Sequence, residues 1–582
     1  MTSSPPPFDW TFYQRCKHLI TQPSEPEVIR RVVEKLEQAR TIYALAALGT
    51  LLAEALTRLG EREAAEAVLR QDVESGIADQ WTHYWLGDAL AVRGAFDEAA
   101  LHIRRSHGMR GWPQSEAHGY VFSLDYFSGF IGEWQSWFHT WIRQAPLEVV
   151  LAGVGQGGTA LWLLDQVIAP RDGTLTCIDA WKGTAGHALL DQQLTAAGQT
   201  LEHLFDANLS RSGHGQHPDR VRKRSGPVLE QLASEPAASA DLVWIQAGGD
   251  SAEQIQRAVL AHRLLRPRGC LVLVDFRPQQ APGAARAADF FLAAFRDRYR
   301  LLARGKQLLL QRRPANAQPL PRCLLLLLGM HRSGTSALAG LLPSQGFLAP
   351  QDVPLADANN PSGYWEPQRI VACHMALIEQ LRTSWDDPLL IEPGFSGERL
   401  PAAMEQLEQA LEQAFPPAGR KADAVALVKD PRQCRLQPVW NALLQAHQID
   451  AAAVLIVREP LAVVRSLQRR DQLPVNRALL LWVQYTLEAE RHTRHLPRLL
   501  ITYQQLLSDP LTVLARCRQF WPQKSWQSGE HLWIDASLDH GRDAQAEFEA
   551  LADPALLELA SAVYNLLAKP SPDTAQFSGP MG

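Results

Sequence analysis

A long apolar run leads directly into a loop of small and hydroxyl-bearing residues in the second half of the chain. The run, Cys323–Leu328, contains five consecutive leucines and predicts a buried β-strand. Residues 329–342 follow it as G-M-H-R-S-G-T-S-A-L-A-G-L-L, which predicts a tight turn and then an apolar helix. A strand, turn and helix in this order can cradle an anion, because backbone N–H groups and the helix dipole attract a phosphate. The sequence therefore predicts an α/β domain with a phosphate-binding loop.

The residues of this loop distinguish it from the phosphate loops of kinases and ATPases. Thr335 stands where the pattern G-x-x-x-x-G-K-[ST] places its lysine, so a kinase or ATPase is disfavoured. A phosphate ligand is still favoured, because Gly334 permits the tight turn and Arg332 supplies a charged fork. Ser333 and Ser336 add hydroxyl donors, as does Thr335.

Two further segments carry cationic or hydroxyl groups at the ends of predicted strands. Val454–Val457 predicts a buried strand, and Arg458 follows it directly. Ser466 comes eight residues later on the next helix, and Arg470 lies one turn further along the same face. Lys429 ends another predicted strand within V-K-D-P-R. Because the carboxyl ends of parallel strands meet at one crevice, we expect the three segments to form one anion site.

In this order the segments resemble those of sulfotransferases that use 3′-phosphoadenosine 5′-phosphosulfate (PAPS), over about residues 322–520. The resemblance implies that Arg332–Ser336 bind the 5′-phosphosulfate and that Arg458 and Ser466 bind the 3′-phosphate. The segments K-D-P and T-Y-Q-Q-L are similar to those of the tyrosylprotein sulfotransferases, which implies that Tyr503 helps to hold the nucleotide. N-P-S-G-Y-W-E is similar to a segment of bacterial members of the superfamily.

Sulfuryl transfer to a hydroxyl or amine needs cations for the growing negative charge and a base for the proton of the acceptor. Lys429 and Arg332 are the candidate cations. Glu366 lies between the two phosphate motifs, like the catalytic glutamate of the tyrosylprotein branch, so the resemblance implies that it is the general base. The histidine base of the cytosolic branch has no counterpart, although His331 and His374 are further candidates near the site. The reaction of this superfamily needs no metal, and no metal-binding pattern is visible.

The middle of the chain alternates strand and helix patterns, which indicates a second α/β domain. The predicted strands are Leu147–Ala152, Leu175–Ile178, Leu242–Ile245, Leu271–Val274 and Gln307–Gln311, with a helix at Ala252–Leu265. The first strand ends in G-x-G-x-G at Gly153, Gly155 and Gly157, and Asp179 ends the second. Glycines at the first turn and an acid at the second strand end suit a nucleoside whose ribose hydroxyls need an acceptor.

This stretch, about residues 120–312, resembles the class I S-adenosylmethionine methyltransferases, some of which read G-x-x-G-x-S-T-L-W-L-L where this chain reads G-Q-G-G-T-A-L-W-L-L. The resemblance implies a Rossmann-like fold and S-adenosylmethionine as a second co-substrate. Two positions depart from the family pattern. Leu151 replaces the usual acid before the first glycine, and Gln246 replaces the usual carboxylate after the fourth strand. The domain is therefore expected either to transfer methyl groups or to be degenerate.

The N-terminal region predicts helices with an internal repeat. Leu52, Ala53, Leu56, Gly60, Ala65 and Leu69 recur 34 residues later as Leu86, Gly87, Leu90, Gly94, Ala99 and Ile103. This period resembles the tetratricopeptide repeat, which implies a surface for a protein partner. Two copies fall short of the usual three, so a degenerate flanking copy or packing on the next domain is expected.

The predicted architecture is multidomain, with N-terminal α-helical repeats followed by two α/β domains with doubly wound parallel sheets, one Rossmann-like and one P-loop-like. The boundaries are 1–114 for the repeats, 115–314 for the methyltransferase-like domain, 315–321 for a linker, 322–568 for the sulfotransferase domain and 569–582 for a disordered tail. A length of 582 residues agrees with several domains.

Charge and cysteine usage narrow the class of protein further. A net charge of −5 does not point to nucleic acid or an anionic membrane, and no apolar run is long enough to span a bilayer. No signal peptide is visible, and the seven scattered cysteines form no C-x-x-C, which favours a reducing cytoplasm.

Three functions compete. The leading one is a sulfotransferase with an S-adenosylmethionine-binding domain that is active or degenerate. The alternative is a bifunctional methyltransferase–sulfotransferase acting on a glycan or secondary metabolite, and the third is a non-enzymatic assembly protein. The sequence leaves the acceptor open between a glycan, a small molecule and a protein.

Overall fold

A computed structural model describes residues 7–22, 24–123, 125, 127–181, 198, 200–217, 219–246, 250–274, 282–354, 363–389, 395, 397, 399–419, 421, 423–526 and 545–568. The chain divides into an N-terminal unit, Met1–Ala294 with Arg304–Arg312, and a C-terminal unit, Phe295–Ala303 with Arg313–Gly582.

The N-terminal unit begins with paired helices. They are α1 (Trp10–Thr21), α2 (Pro26–Ile42), α3 (Ala46–Arg58), α4 (Arg62–Glu74), α5 (Gln80–Val92) and α6 (Phe96–Met109). The starts of α3 and α4 recur 34 residues later in α5 and α6, as the predicted repeat requires. Gly60 and Gly94 turn the chain within the two pairs with φ of +83° and +86°, which favours glycine. A Cβ on Gly87 would lie 2.8 Å from Ile103, so the glycine permits close helix packing. Helices α1 and α2 extend the same core in front of the repeats.

The rest of this unit contains a doubly wound sheet. Its strands are β1 (Glu148–Ala152), β2 (Thr174–Asp179), β3 (Val221–Ser225), β4 (Ala240–Ile245), β5 (Leu265–Leu273) and β7 (Leu308–Arg312), whereas β6 (Tyr299–Arg304) lies almost entirely in the C-terminal unit. The strand order in this unit is β3-β2-β1-β4-β5-β7, in which β7 runs antiparallel to β5. The chain reverses direction across the sheet between β1 and β4, where a doubly wound fold places its ligand crevice. The helices are α7 (Gln114–Ala117), α8 (Ile131–Thr140), α9 (Gly158–Leu163), α10 (Leu201–Ser212), α11 (Val228–Ser234), α12 (Ser251–Leu264) and α13 (Pro282–Ala294).

The C-terminal unit contains a second sheet. Its strands are β8 (Cys323–Leu328), β9 (Val425–Lys429), β10 (Asp450–Val457) and β11 (Arg498–Thr502), in the order β11-β10-β8-β9 with every pair parallel. The five leucines of β8 are completely buried. The helices are α14 (Thr335–Leu341), α15 (Gln368–Gln380), α16 (Arg399–Ala414), α17 (Gln433–His447), α18 (Pro460–Asp471), α19 (Val475–His492), α20 (Tyr503–Ser508), α21 (Pro510–Arg518), α22 (Gln545–Leu551) and α23 (Pro554–Ala568).

Most predicted strands are present with small shifts at their ends. Prediction and structure agree fully for β8, and the predicted helix at Ala252–Leu265 is Ser251–Leu264. The prediction for β5 was too short, because the strand starts at Leu265. Prediction missed β3, whose V-R-K-R-S composition lacks a buried pattern, and also β6 and β11. The predicted disordered tail lies outside the described residues.

Within the described ranges, no helix is long and apolar enough to cross a membrane. The same residues contain no cluster of three or more histidine, cysteine or acidic side chains that could hold a metal ion. All seven cysteines are free thiols.

Candidate functional site

The glycine loop between β1 and α9 adopts the left-handed backbone that its sequence predicts. Gly153, Gly155 and Gly157 have φ of +89°, +54° and +91°. A Cβ on Gly157 would lie 2.4 Å from the ring of Phe205, so a larger residue cannot stand there. Among the described residues, no atom lies within 4 Å of the Cβ position of Gly155, which therefore borders open space. The loop thus leaves room for a ligand beside its central glycine.

Asp179 ends β2 and holds this loop. Its Oδ2 accepts hydrogen bonds from the backbone N–H groups of Val154 (2.6 Å) and Gly155 (2.8 Å), and its Oδ1 accepts one from the N–H of Trp181 (2.8 Å). The indole Nε1 of Trp181 donates to the carbonyl of Gly155 at 3.2 Å. Asp179 therefore lies at the predicted crevice, where it fixes the loop and retains acceptor capacity on Oδ1.

Gln246 follows β4 on the other side of the crevice. Its Nε2 donates to Thr159 Oγ1 at 2.8 Å, and its Cβ is the atom that a Cβ on Gly153 would meet. The amide therefore ties the end of β4 to the start of α9. Residues 247–249 and Asp275, which follow β4 and β5, lie outside the described residues.

Aromatic side chains line the crevice beside Asp179. The rings of Trp181 and Phe205 stack with centroids 5.9 Å apart, and Lys223 Nζ lies 4.8 Å from the Trp181 ring. Lys223 also pairs with Glu202 and Asp206, each at 2.8 Å. Gln156 accepts hydrogen bonds from the N–H and the hydroxyl of Ser123. The sequence did not predict Gln156 or these aromatic and charged residues as part of the site.

In the C-terminal unit, the loop between β8 and α14 has an unusual backbone. Arg332 has φ of +68°, in the left-handed region that few non-glycine residues adopt, and Gly334 has φ of +95°. A Cβ on Gly334 would lie 2.3 Å from the ring of Tyr503. Ser333 and Thr335 are buried. Left-handed residues at a loop are held by their surroundings and often mark functional sites.

Several predicted anion-site residues meet on one side of this loop. Arg332 Nε donates to Ser466 Oγ at 2.7 Å, and Arg458 Nη1 donates to the carbonyl of Arg332 at 3.3 Å. The guanidinium of Arg458 lies 4.5 Å from the ring centroid of Tyr503. Burial, and then the charges of Arg470 and Arg458, lower the pKa of Arg332. Guanidinium groups that repel one another in this way favour an anion between them.

A second group of predicted site residues surrounds Lys429. Lys429 is 2% exposed, and its Nζ donates to Glu366 Oε1 (2.6 Å), to Ser336 Oγ (3.0 Å) and to the carbonyl of Tyr364 (3.0 Å). Because an ammonium has three N–H groups, a new anion would have to replace one of these partners. The structure therefore brings Lys429, Glu366 and Ser336 together, next to the Arg332 group.

Arg470 lies on α18, four residues after Ser466. Its guanidinium pairs with Asp471 at 2.8 Å and lies 5.9 Å from the ring of Trp385. It is near enough to affect Arg332, but the described contacts do not join it to Ser466.

A buried hydrogen-bond network of His374, Asp430 and Trp440 lies next to the group formed by Lys429, Glu366 and Ser336. His374 Nδ1 donates to Asp430 Oδ2 at 2.7 Å, and His374 Nε2 accepts from Trp440 Nε1 at 2.9 Å. Asp430 Oδ1 accepts from Arg432 Nη1 at 2.7 Å, and Arg432 lies 3.7 Å from Glu366. Burial would raise the pKa of Asp430, but the hydrogen bond from His374 and the charge of Arg432 bring it well below its ordinary value. Prediction missed Arg432, although it stands three residues after Lys429.

A family model described as "Methyltransferase domain" matches residues 150–276. These residues form a class I methyltransferase-like domain, and the resemblance inferred from the glycine loop is confirmed at that level. No sulfotransferase or tetratricopeptide-repeat family model matches the chain.

Two mycobacterial proteins are similar to the same part of the chain. A protein named "Putative O-methyltransferase" from Mycobacterium sp. (strain JLS) is 34% identical over 160 residues, and one of the same name from Mycolicibacterium vanbaalenii is 33% identical over 160 residues. Each alignment covers 28% of this chain and 62% or 61% of the relative. The chain thus spans less than two thirds of the length of these relatives.

Solved structures overlap the chain as well. The O-methyltransferase NovP is 17% identical, with 29% of this chain and 73% of that chain covered and a TM-score of 0.24. A methyltransferase from Geobacter sulfurreducens is 19% identical, with 37% of this chain and 87% of that chain covered and a TM-score of 0.21.

Proposed function

We propose that the N-terminal unit transfers a methyl group from S-adenosylmethionine to an oxygen of its acceptor. One observation carries this proposal: the residues that match the methyltransferase family model include a glycine loop and Asp179, which meet at the switch point of a doubly wound sheet. The names of the mycobacterial relatives support oxygen as the methylated atom.

The residues present fit the co-substrate. S-adenosylmethionine supplies an activated methyl group when it is bound. Asp179 would accept a hydrogen bond from a ribose hydroxyl. Its carboxylate already accepts three hydrogen bonds from backbone N–H groups and can accept one more. The open space at Gly155 would admit the ligand, and Trp181 would cover one side of it. Gln246 places a neutral amide where the family pattern has a carboxylate. Because an amide does not act as a base, another group must accept the proton of the acceptor hydroxyl.

Calorimetry with S-adenosylhomocysteine tests this proposal. Asp179→Asn should weaken binding at least about tenfold, because a charge-assisted hydrogen bond and part of the loop support are lost. Asp172→Asn is the matched control. The Asp172 side chain is 99% exposed, and its ion pair with Arg220 is long, at 3.9 Å. Tight binding that survives Asp179→Asn would refute the assignment of the site.

We propose sulfuryl transfer from PAPS as a second activity, in the C-terminal unit. One observation favours it: Arg332 after β8 contacts Arg458 after β10 and Ser466 on α18, while Lys429 contacts Ser336, at the carboxyl ends of adjacent parallel strands. Burial, and then the charges of Arg470 and Arg458, lower the pKa of Arg332, and a ligand with several negative charges would offset both effects.

The roles of the side chains follow from their positions. PAPS supplies an activated sulfuryl group when it is bound. Arg458 and Ser466 would bind its 3′-phosphate, while Arg332 and Lys429 would offset the negative charge on the departing 5′-phosphate. Glu366 would accept the proton of the acceptor, and Lys429 and Arg432 hold its carboxylate in place.

Thermal unfolding with 3′-phosphoadenosine 5′-phosphate tests this second activity. The full chain should be stabilised more by this ligand than by AMP, because only the former engages Arg458 and Ser466. Arg458→Ala should remove the difference, whereas the control Arg494→Ala, on a side chain that is 67% exposed, should retain it. Equal stabilisation of the unmodified chain by both ligands would refute the 3′-phosphate site.

The two proposals together describe a bifunctional methyltransferase–sulfotransferase, whose acceptor would be a glycan or a secondary metabolite. The helices α1–α6 are proposed to bind a protein partner. The cytoplasmic location expected from the cysteine spacing stays a prediction.

A further inference from the structure

Part of the support of the glycine loop after β1 comes from residues outside the match to the methyltransferase family model. That match begins at residue 150, whereas Ser123, Asp125 and Phe127 belong to the chain between α7 and α8. These three residues connect α6, the last of the paired helices, to the glycine loop. The connection begins at His107, which lies on α6.

Asp125 receives the contact from α6. His107 Nε2 donates to Asp125 Oδ2 at 3.2 Å, while Asp125 Oδ1 accepts from the backbone N–H groups of Phe127 (3.2 Å) and Ser128 (2.9 Å). The hydroxyl of Ser128 donates to the same carboxylate. Burial raises the pKa of Asp125, but its interaction with His107 and the hydrogen bonds from Ser128 outweigh this effect and bring the pKa below its ordinary value. Asp125 is therefore a charged group that His107 joins to another element.

His107 has little freedom to move. Its side chain is 0% exposed, and its Nδ1 lies 2.8 Å from Ser115 Oγ on α7. The imidazole stacks on Trp112 with ring centroids 4.8 Å apart, and its centroid lies 5.3 Å from that of Phe127. An imidazole that is bound at both nitrogens and packed against two rings occupies one position, so it fixes Asp125 in turn.

The same segment contacts the glycine loop at two points. Gln156 Oε1, within the loop, accepts from the N–H of Ser123 at 2.7 Å and from its hydroxyl at 2.8 Å. A Cβ on Gly158 would strike the ring of Phe127, so this ring lies directly against the start of α9. A displacement of Asp125, which lies between Ser123 and Phe127 in the chain, would therefore disturb both supports of the loop.

A second anchor holds the start of the segment. The side-chain amide of Asn208 accepts from the N–H of Val121 and donates to its carbonyl, both at 2.8 Å. Asn208 lies on α10, whose Phe205 is the ring that a Cβ on Gly157 would meet. Helix α10 lies within the family match, so the element that His107 adds to the support of the loop is α6.

We propose that His107 is a positioning residue for the methyl-transfer site and acts on the glycine loop through Asp125. The loop must keep its left-handed backbone and the open space at Gly155 to receive a ligand. A loop that is already in place binds more tightly, because it loses less conformational freedom on binding. The inference rests on the methyl-transfer proposal, and it makes helix α6 part of that site.

A double-mutant cycle in the full chain tests this role, with the affinity for S-adenosylhomocysteine measured by calorimetry. His107→Asn removes the donor to Asp125, because the shorter amide reaches only the position of Nδ1, and it should weaken binding about tenfold. Gln156→Leu removes the acceptor of Ser123 and should weaken binding by a similar factor. Since both changes break the same connection, the double variant should bind no more than about threefold more weakly than either single variant.

Two further variants separate positioning from general stability. His107→Gln places an amide donor near the position of Nε2, so it should recover most of the affinity that His107→Asn loses. His83→Asn is the matched control, because it removes another buried imidazole, on α5, whose Nδ1 lies 2.9 Å from that of His102. It should leave the affinity unchanged. Asp125→Asn provides the same cycle with Gln156→Leu if His107→Asn does not fold.

The outcomes distinguish this inference from the function on which it rests. Effects of His107→Asn and Gln156→Leu that multiply in the double variant would overturn the inference, as would equal losses in His107→Gln and His107→Asn. A purely structural role would lower the number of binding sites per chain without changing their affinity, and that result would also overturn it. No binding by the unmodified chain would refute methyl transfer itself and the inference with it.

Discussion

Glu408 carries a buried negative charge that holds several parts of the C-terminal unit together. The residue is 2% exposed, and its two oxygens accept from Arg313 Nε (2.6 Å), Arg300 Nε (2.6 Å) and His447 Nε2 (3.0 Å). Burial alone would raise the pKa of Glu408, but the hydrogen bond from His447 and the charges of Arg300 and Arg313 bring it well below its ordinary value. The carboxylate is therefore stabilised by folding.

We predict that Glu408→Gln lowers the free energy of unfolding by about 3–5 kcal/mol, the usual cost of breaking a buried ion pair. The magnitude follows from the burial of both guanidiniums, whose side chains are 5% (Arg300) and 1% (Arg313) exposed, because an amide leaves their charges without compensation in a medium of low polarity. Glu412→Gln is the control, one turn later on the same helix. Glu412 also pairs with Arg313, but burial raises the pKa of Glu412, which means that folding does not favour its negative charge. Removing that charge should therefore lower the free energy of unfolding by no more than about 1 kcal/mol.

Urea unfolding of the full chain, followed by tryptophan fluorescence, measures both variants. The pH dependence supplies a second check, because a carboxyl group with a depressed folded-state pKa stabilises the fold above its unfolded pKa of about 4.3 and loses that effect as pH falls further. The difference between the unmodified chain and Glu408→Gln should therefore be constant above about pH 5 and shrink below about pH 4. A loss in Glu408→Gln no larger than in Glu412→Gln at pH 7 would refute the reasoning.

Three further predictions concern the loops and the helical repeats. Gly334→Ala should abolish stabilisation by 3′-phosphoadenosine 5′-phosphate in a thermal-shift assay, because a Cβ at φ of +95° would strike the ring of Tyr503; undiminished stabilisation would contradict this. Glu366→Gln should lower turnover about 10²–10⁴-fold without weakening the binding of that nucleotide in calorimetry, since the base acts only on the acceptor; normal turnover would place the base elsewhere. His102, whose Nδ1 lies 2.9 Å from that of His83, has its pKa lowered to about 4 by burial and then by the charge of His83. Because the unfolded chain takes up this proton first, stability should fall as pH drops from about 6.5 towards 4, and His102→Phe should flatten this fall in unfolding midpoints measured at pH 7 and 5.

Features that depend on neighbouring residues and contacts between distant residues differ in how far the sequence predicts them. The strand at Cys323–Leu328 was predicted to the residue, because five leucines between polar segments can be buried in few other ways. The hydrogen bond between Arg332 and Ser466 joins residues that are 134 positions apart, and it depends on the order of the strands rather than on any local pattern.

What the sequence determined by itself was local: the periodicity of apolar residues, the glycines that require positive φ, and the acids and cations at strand ends. Only the tertiary structure decided how those groups are used. It directed Asp179 to the backbone of a loop 25 residues earlier and joined Lys429 to Glu366 across 63 residues. The physical reason is that hydrophobic pattern and turn chemistry act between near neighbours along the chain. The partner of a buried charge depends instead on which strands lie side by side and on which donors and acceptors they bring within about 3 Å.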